Sequence, residues 1–465
     1  MLTLKMVGTG ILLSRYIFLL LIVASFFAVP STGECAEITE QKLSLAECIT
    51  KALSNSSSAK KAENNLKLQG TDVLKSYGSF LPRLSLSAGY TPYALSRSYI
   101  LDTPVTEIFK TTRKSVDLTI TTSLNLFNGF RDYASLQSSL KKESAAEYTL
   151  ARVLESVVFD VTQAYFQVLL DRELLDISRE NLLSSQDQLT LIDRQFKVGL
   201  KSMTDRYQQE SETEQSHLSV IKAETRMERS MFELKRRLQM NPDIKVNLLP
   251  NPQEFAPPPD SKPNVDSLVA LALQRRGDLK SKSLETTAAQ WQIKAARASW
   301  YPTLDLNVIV TSGGVEYLNH EYSYPPLSEQ FSKTFGSSAG VRFSWLLFDG
   351  FQTRYAVEGA KINLLNQQFD YEDLKRNIVI DLHQAAGDYT SAWTQIETAK
   401  VSFSAARSAF EAVKRKYQLG AASFVELSLA RATLFNARST LSQATYNLAL
   451  QKSVLDFTTG KPVKP

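Results

Sequence analysis

The chain has 465 residues, of which 43% are apolar and 22% are charged, and its formal net charge is +5 at pH 7. A chain of this length and apolar content can bury a large core. Acidic residues are interleaved with Lys and Arg along the chain, so no basic patch of the kind that binds nucleic acid is present, and no nucleic-acid partner is expected.

Residues 1–33 have the pattern of a secretory signal peptide. Arg15 precedes an apolar run over residues 16–29, and small residues follow at 31–33. This run is too short to span the roughly 30 Å hydrocarbon core of a membrane as a helix, so the pattern predicts export with cleavage near Gly33 or Ala36. No later apolar run of transmembrane length stands out, and membrane insertion is therefore expected from strands.

The chain contains only two cysteines, Cys35 and Cys48. Two cysteines cannot supply the disulfide framework on which small exported domains depend. Cys35 stands close to the predicted cleavage site, which leaves lipid attachment open, although Glu34 occupies a place where a small residue is normal. The alternative is an unmodified cysteine near the mature N-terminus.

A helix and a strand pair open the mature chain. Ser44 and Glu47 form a capping-box pattern and predict a helix from about 45 to 77, which Pro82 ends. From residue 84 apolar and polar residues alternate, which predicts two strands separated by an exposed loop at 91–113. The apolar positions of the two strands are Leu84, Leu86, Ala88, Tyr90, Val116, Leu118, Ile120, Leu124 and Leu126.

This alternation leaves the orientation of the strand pair open. In a soluble sandwich the apolar face forms the core, whereas in an outer-membrane barrel the apolar face meets lipid and the polar face lines a wet lumen. Both arrangements have the same sequence pattern.

After Gly129 the hydrophobic period changes to seven residues, and no proline occurs before Pro242. A strict seven-residue repeat predicts a coiled-coil seam. A helix from about 130 to 198 would be roughly 100 Å long at about 1.5 Å per residue. The seam positions are Val161, Val168, Leu175, Leu182, Leu189 and Phe196, and later Leu382, Tyr389, Ile396, Phe403, Phe410 and Tyr417.

Two glycines, Gly199 and Gly420, end the predicted long helices, and Ser202 and Ser423 follow three residues later. Glycine supplies a left-handed helix cap, and serine caps the next helix at its N-terminus. The pattern predicts two helical hairpins, each an antiparallel coiled coil.

One structural unit occurs twice. Residues 126–130, Leu-Phe-Asn-Gly-Phe, return at 347–351 as Leu-Phe-Asp-Gly-Phe, and Phe196 returns as Tyr417 at the same offset. We interpret the chain as a tandem duplication. The predicted segments are a signal peptide at 1–33, a first repeat at 34–240, a linker at 241–264, a second repeat at 265–459 and a tail at 460–465.

The predicted fold class is a mixed α+β membrane protein with long antiparallel coiled-coil helices and four strands per protomer. The second repeat begins with a helix at about 265–299, followed by two strands around a loop. Four strands cannot close a barrel, and a lone sheet would leave its edges and apolar face uncovered. Closure therefore requires other copies of the chain.

These features resemble the TolC family of bacterial outer-membrane efflux proteins, over nearly the whole mature chain. Arg276-Gly277-Asp278-Leu279 is similar to the family's Arg-Pro-Asp-Leu, with glycine in place of proline. The motifs that carry the resemblance are Leu81-Pro82 and Tyr301-Pro302 at the strand entries, Leu-Phe-Asn/Asp-Gly at the strand exits, Val198-Gly199-Leu200 with Thr204-Asp205, and the turn from Tyr417 to Ser423.

The resemblance implies a homotrimer whose twelve strands form one barrel in outer-membrane lipid and whose helices continue as an α-helical barrel in the periplasm. It also implies partners: a periplasmic adaptor (membrane fusion protein) and an inner-membrane pump of RND or ABC type. The residues expected to face the barrel lumen are Asp117, Asn125, Asp305, Asn307 and Arg342.

The resemblance assigns roles to three further groups. Asp205, Glu426, Thr204 and Tyr417 are expected at the tunnel mouth or gate, although the two acids could equally be ordinary solvated residues, and Ala422 occupies the place of a gating arginine. The expected adaptor-docking turns are Val198, Gly199, Leu200, Ser202, Leu419, Gly420, Ala421 and Ser423. The expected junction of barrel and tunnel comprises Pro82, Gly129, Pro302 and Gly350.

Enzymatic function is not expected. Residues 336–340 match the Gly-x-Ser-x-Gly nucleophile elbow, but that motif requires a strand before it and a helix after it, whereas a strand follows here. The three histidines have no metal-ligand spacing, and no cofactor is expected. The predicted function is a passive exit duct of a tripartite efflux or type I secretion system; the alternative is a periplasmic coiled-coil adaptor or scaffold without a pore.

Overall fold

A computed structural model describes residues 41–100, 107–250, 263–319 and 325–461. The predicted signal peptide, Cys35, residues 251–262 of the linker and residues 462–465 of the tail lie outside the described residues.

The chain divides into two compact units. Of the described residues, the smaller unit comprises 41–42 and Asp243–Asn247. Strand β1 (Gln41–Leu43) pairs with β4 (Val246–Leu248) in a two-stranded sheet, and the Gln41 N–H donates to the Lys245 carbonyl at 2.9 Å. The larger unit contains the remaining elements of both repeats.

In each repeat two short helices precede the strands: α1 (Leu45–Asn55) and α2 (Ser57–Gly78), then α5 (Val265–Arg275) and α6 (Gly277–Arg297). The prediction of one continuous helix in each place was wrong. Ser56 breaks the first, because its backbone leaves the helical region at φ −52 and ψ 121 and its hydroxyl accepts from Ala59 N–H.

The long helices have the predicted extent. Helices α3 (Arg131–Lys197) and α8 (Gln352–Gln418) each contain 67 residues, and the return helices α4 (Met203–Arg237) and α9 (Phe424–Thr458) each contain 35. At about 1.5 Å per residue, α3 and α8 are about 100 Å long.

The helices pack along their seven-residue seams. Helix α3 packs on α4, α8 packs on α9, and α9 also packs on α3. Val161 and Val168 are buried on α3, and Leu382 is buried on α8. One cluster joins α8 to α9 through Tyr389, Ala392, Ile396, Ala399, Ala444 and Leu448.

Helix α3 contains a window that is long and apolar enough to cross a membrane by length and composition, contrary to the expectation from sequence. The window has a mean hydropathy of 1.3, and 50% of it is buried within the protein. A half-buried apolar window is also typical of a helix in a packed layer.

The larger sheet consists of β2 (Arg83–Ile100), β3 (Glu107–Phe127), β5 (Thr303–Tyr317) and β6 (Phe335–Ser344). All pairs are antiparallel, in the order β2-β3-β5-β6. Within the described part of the chain this sheet is open, and β2 and β6 are its edges. Helix α7 (Leu327–Lys333) lies between β5 and β6 in the sequence.

The strands differ from the predicted ones at their ends. The segment 91–113 is not a loop throughout, because β2 and β3 continue to pair beyond a register shift between Thr91 and Ala94. Strand β6 ends at Ser344, directly opposite Thr303, the first residue of its partner β5. The Gly-x-Ser-x-Gly segment, 336–340, lies inside β6.

Candidate functional site

Each helical hairpin ends in a glycine turn. Gly199 has φ +74 and Gly420 has φ +75, a left-handed conformation that favours glycine. Leu200 N–H donates to Gln195 O at 2.8 Å, and Ala421 N–H donates to Lys416 O at 2.8 Å. These bonds close the last helical turn in the same way in both hairpins.

Apolar side chains are exposed at both turns. Val198 and Leu200 are exposed at the first, and Leu419 at the second has 84% of its surface accessible. Apolar side chains at the end of a helical hairpin are available to a protein partner.

The serines that follow the turns form capping boxes with the two predicted gate acids. Ser202 N–H and Oγ both donate to Asp205 Oδ2, at 3.1 and 2.9 Å. Ser423 N–H donates to Glu426 Oε2 at 2.7 Å, and Glu426 N–H donates back to Ser423 Oγ at 3.2 Å. Each acid is thereby fixed at the start of its return helix.

The cap also affects the charge of Asp205. The backbone N–H of Ser202, and then its hydroxyl, hold the pKa of Asp205 below its ordinary value. Sequence reasoning recognised the serines as helix caps but missed the acids as their partners. The signal was present, since the same Ser-x-x-acid spacing was recognised at Ser44 and Glu47.

Tyr417 connects the two hairpins near their turns. Its hydroxyl accepts a long hydrogen bond from Gln188 Nε2 at 3.5 Å, and Lys201 Nζ lies 5.2 Å from the centre of its ring. Thr204 is exposed, and Ala422 is half-buried. Of the four predicted gate residues, Tyr417 is therefore the one that contacts the other hairpin through these interactions.

The five predicted lumen residues lie on one face of the sheet. Asn125, Asp305 and Arg342 are neighbours in register on β3, β5 and β6, and Asn125 Nδ2 donates to Asp305 Oδ1 at 2.7 Å. Asp117 pairs in register with Gly89 and Gly313. Asn307, the fifth, pairs in register with Ser123 and Gly340. Other residues on this face include Ser85, Ser87, Thr119, Thr121, Ser123, Thr311 and Ser338.

The opposite face of the same sheet is apolar. Residues with the alternate register on the four strands include Leu84, Leu86, Val116, Leu118, Ile120, Leu306, Val308, Val310, Val341 and Phe343. Each strand thus separates a polar face from an apolar one, as the alternation predicted.

The strand exits share an unusual backbone. Gly129 and Phe130 have φ +68 and +64, and Gly350 and Phe351 have φ +64 and +67. The phenylalanines pack edge-on against Phe127 and Phe348 at 5.4 and 5.5 Å between ring centres. Two successive left-handed residues, a glycine and a phenylalanine, turn the chain toward the long helix in each repeat.

Side chains before each bend cap the long helices. Asn128 Oδ1 accepts from Asp132 N–H at 3.4 Å, and Asp349 accepts from Thr353 N–H at 2.7 Å and from its hydroxyl. These hydrogen bonds lower the pKa of the Asp349 carboxyl, and the one from the Thr353 hydroxyl has the larger effect. Pro82 and Pro302 directly precede β2 and β5, and Gly129 follows the end of β3 by two residues. Gly350 lies farther out, six residues beyond the end of β6 at Ser344.

Residues 48–238 and 268–461 match a family model described as outer membrane efflux protein. The chain belongs to the outer membrane efflux protein family. The match covers both repeats, and the protein is an outer-membrane protein, as its sequence predicted.

Individual members of this family are similar over most of the chain. Protein CyaE of Bordetella pertussis is 26% identical over 330 residues, which are 70% of this chain and 65% of CyaE. Outer membrane protein TolC of Escherichia coli K12 is 22% identical over 336 residues, 71% of this chain and 67% of TolC. Alkaline protease secretion protein AprF of Pseudomonas aeruginosa is 24% identical over 392 residues, 80% of this chain and 79% of AprF.

Solved structures of outer-membrane channels share the fold. The outer-membrane channel OprN has a TM-score of 0.74 at 18% identity, with 90% of each chain covered. The Campylobacter jejuni CmeC channel has a TM-score of 0.76 at 19% identity, with 90% of this chain and 85% of CmeC covered. The open state of Neisseria gonorrhoeae MtrE has a TM-score of 0.71 at 18% identity, covering 90% of this chain and 88% of that one.

Proposed function

We propose that this efflux-family protein is a passive exit duct: a homotrimeric outer-membrane channel that receives cargo from an inner-membrane pump through a periplasmic adaptor. The observation that carries this proposal is the two-faced sheet with two open edges. Leu84, Leu86 and Phe343 on the apolar face are exposed in the single chain. Lipid would cover this face, water would meet the polar face, and a further strand would pair with each edge.

The edges support closure by further copies. Strand β2 at one edge and β6 at the other would meet head to tail, which is a heterologous contact that closes into a ring. Exposed apolar residues flank both edges: Leu74, Tyr77, Leu84, Leu86 and Tyr90 on one side, and Phe343, Leu346, Leu347, Phe348 and Tyr355 on the other. Three copies would give a barrel of twelve strands.

The height of the apolar face fits an outer membrane. This face extends from the Val116–Gly314 pair to the Phe127–Leu304 pair, which are ten residues apart on β5, about 33 Å along a strand at about 3.3 Å per residue. At a tilt of about 40° this corresponds to a band about 25 Å tall. Beyond Val116 the same face carries an ion pair between Lys114 and Glu316 at 2.8 Å, which suits the polar edge of such a band.

The polar face would then line the lumen, with Asp117, Asn125, Asp305, Asn307 and Arg342 in contact with water. The long helices would continue into the periplasm as a tunnel. At the far end, Asp205 and Glu426 of each protomer would surround the mouth, where rings of like charge favour cations. Thr204 and Tyr417 would contribute to its closed state.

The turns would dock the adaptor. Val198, Leu200 and Leu419 present apolar surface there, and the left-handed Gly199 and Gly420 hold that surface in place. Ser202 and Ser423 fix the return helices behind it, with Ala421 completing the second turn. The pump, of RND or ABC type, would act through this adaptor.

Two relatives are named for what they export: AprF for alkaline protease secretion, and the Pseudomonas aeruginosa protein OpmQ for pyoverdine export. A polypeptide and a small molecule thus both occur among the cargoes of similar proteins. A duct that does not itself select cargo fits this range, and no catalytic step is required of it. A pore-less adaptor would have no use for the lipid-facing strands.

Adjacent residues on opposite faces of β3 test the orientation of the sheet. Ile120→Lys would place a charge in lipid, at a cost of about 2–4 kcal/mol near the bilayer centre, whereas Thr121→Lys would place it in water. We expect Ile120→Lys to abolish the heat-modifiable trimer in outer-membrane fractions and Thr121→Lys to leave it intact. The reverse result, or equal trimer yields from both, would refute the proposed barrel.

A further inference from the structure

Two cations lie directly opposite each other near the end of the sheet that is farthest from the long helices. Arg97 on β2 and Lys110 on β3 are partners in register, and both side chains are exposed. Directly opposed residues of an antiparallel pair lie on the same face of a sheet, and like charges in such positions repel each other. This arrangement is therefore unfavourable unless an anion binds between the two side chains.

The next cation on the same face already has an acidic partner. Lys114 on β3 pairs with Glu316 on β5 at 2.8 Å. Within the described part of the chain, by contrast, neither Arg97 nor Lys110 forms an ion pair with an acid. The counter-charge for these two side chains must come from outside the described residues.

The backbone beside Lys110 is held by a side chain that continues the ladder beyond the end of β5. Asn319 Nδ2 donates to Lys110 O at 2.5 Å, and Asn319 Oδ1 accepts from Thr112 N–H at 2.8 Å. Leu318 N–H donates to Thr112 O at 2.7 Å. Because an amide side chain offers both a donor and an acceptor, it can replace the next residue of a strand. Strand β3 therefore keeps its extended register as far as Lys110.

The pair lies on the face that the proposed function assigns to lipid. Lys110 is six residues from Val116 on β3, and an even separation places both residues on the same face. Leu95 on β2, opposite Thr112, is exposed on this face as well. Six residues span about 20 Å along a strand at about 3.3 Å per residue, which places the pair about 15 Å above the apolar band at a tilt of about 40°.

Phosphate carried on a sugar fits both the charge and the height of the pair. A guanidinium group binds phosphate through two parallel hydrogen bonds, and an ammonium group adds a point charge. The headgroup layer of a phospholipid extends only about 5–8 Å beyond the hydrocarbon core, which is less than the height of the pair. The sugars of a glycolipid extend the headgroup, and the long basic side chains can bend back toward the band to meet its phosphates.

We propose that Arg97 and Lys110 of each protomer bind a phosphate group of a glycolipid in the outer leaflet of the membrane. The proposal rests on the proposed function, because only that orientation of the sheet brings this face into contact with lipid. The bound phosphate replaces the repulsion between two cations with two attractions. It thereby holds the far ends of β2 and β3 together at the rim of the barrel.

The test measures binding of bisphosphorylated lipid A to the purified full-length trimer by native mass spectrometry. The variant Arg97→Gln with Lys110→Gln removes both charges. The matched control, Arg83→Gln with Arg113→Gln, removes two exposed charges from the same two strands on the opposite, polar face. We expect the affinity for lipid A to fall about fivefold for each charge removed at the site. The control should stay within about twofold of the unmodified protein.

Two further ligands identify the source of the phosphate. Lipid A without its phosphates should bind equally to the unmodified protein and to the double variant, because the site then has no anion to recognise. Inorganic phosphate at the same concentration as lipid A should not displace it, since free phosphate lacks the acyl chains that lie against the apolar band. Displacement by inorganic phosphate at equal concentration would overturn the assignment to a glycolipid.

Lys110→Glu separates phosphate binding from folding. It places an acid opposite Arg97, so the lipid-free trimer should be at least as stable to heat as the unmodified protein. Lipid A should stabilise the unmodified trimer and should bind the variant less tightly. Equal affinities for lipid A in the unmodified protein, the double variant and Lys110→Glu would overturn the site. Equal trimer yields from Ile120→Lys and Thr121→Lys would instead overturn the proposed barrel.

Discussion

Gly129 and Gly350 occupy equivalent positions in the two repeats and have nearly the same backbone angle, but their surroundings differ. A Cβ at Gly129 would lie 2.5 Å from the carbonyl oxygen of Ala298, whereas no such contact surrounds Gly350 within 4 Å. The bend at Gly129 packs closely against Ala298, which follows the end of α6. The bend at Gly350 has free space beside it in the single protomer.

This difference predicts unequal effects of the same substitution. Gly350→Ala should cost about 1 kcal/mol for its left-handed backbone alone, and Gly129→Ala should add about 1–3 kcal/mol from the close contact. Thermal unfolding in detergent would measure both. Equal losses would show that Gly350 is also packed in the assembled protein, and no loss from either would contradict the strained bend. The larger substitutions Gly129→Val and Gly350→Val should both impair trimer assembly.

Asp205 predicts a pH-dependent contribution to stability. Its pKa is lowered in the folded protein from an ordinary value of 3.8. A carboxylate of this kind stabilises the fold above its ordinary pKa and loses that effect as the pH falls through the lower folded value. We expect Asp205→Asn to be less stable than the unmodified protein at pH 7, with the difference shrinking below about pH 4.

Thermal unfolding at several pH values would measure the stability difference between Asp205→Asn and the unmodified protein. The control is Thr204→Val, a substitution at an exposed neighbouring residue that does not titrate. If the stability difference stayed constant from pH 7 to pH 3, the charge of the Asp205 carboxylate could not be its source. Ser202→Ala should cost about 1 kcal/mol at neutral pH, because it removes the hydroxyl from the capping box.

Gly277, which replaces the proline of the family's Arg-Pro-Asp-Leu motif, lies close to a neighbouring helix. A Cβ at Gly277 would lie 2.8 Å from the carbonyl oxygen of Tyr148 on α3. We expect Gly277→Pro, which restores the motif, to destabilise the protein by about 1–3 kcal/mol through overcrowding. A stable Gly277→Pro variant would show that α6 can move away from α3. Gly359→Ala, at a helical glycine with no atom near its Cβ position, is the matched control.

The charges of Asp205 and Glu426 should make the proposed tunnel mouth selective for cations. Asp205→Asn with Glu426→Gln keeps a hydrogen-bond acceptor at each cap and removes the charge, so the turns should remain intact. We expect the preference for K⁺ over Cl⁻, measured as a reversal potential in a KCl gradient, to fall. An unchanged reversal potential in intact trimers would mean that these acids only cap their helices.

The regular elements were predictable from sequence because they repeat a simple period. Alternation identified the two faces of the sheet, and the seven-residue repeat identified helices such as α3 to within a residue or two. The break at Ser56 was missed because a single polar residue turns the chain there without glycine or proline. The break at Arg276 was missed although Gly277 follows it directly. The extended part of β2 was missed because its Ser and Thr residues suggested a loop.

The candidate site was predictable only in part. Sequence spacing located the turns and the acids, but it did not show that Ser202 already binds Asp205. Nothing in the local sequence indicated that Arg431 on α9 would form an ion pair with Glu212 on α4, because the two residues belong to different repeats. Within the described residues the outer edges of β2 and β6 have no strand partner in this sheet, and the proposed closure requires another copy of the chain.

The conductance of the purified protein in planar bilayers tests the central claim most directly. A trimeric duct predicts discrete conductance steps from the unmodified trimer, lost in parallel with trimer assembly in Ile120→Lys and retained in Thr121→Lys. A folded, heat-modifiable trimer that produces no conductance would contradict the proposed channel.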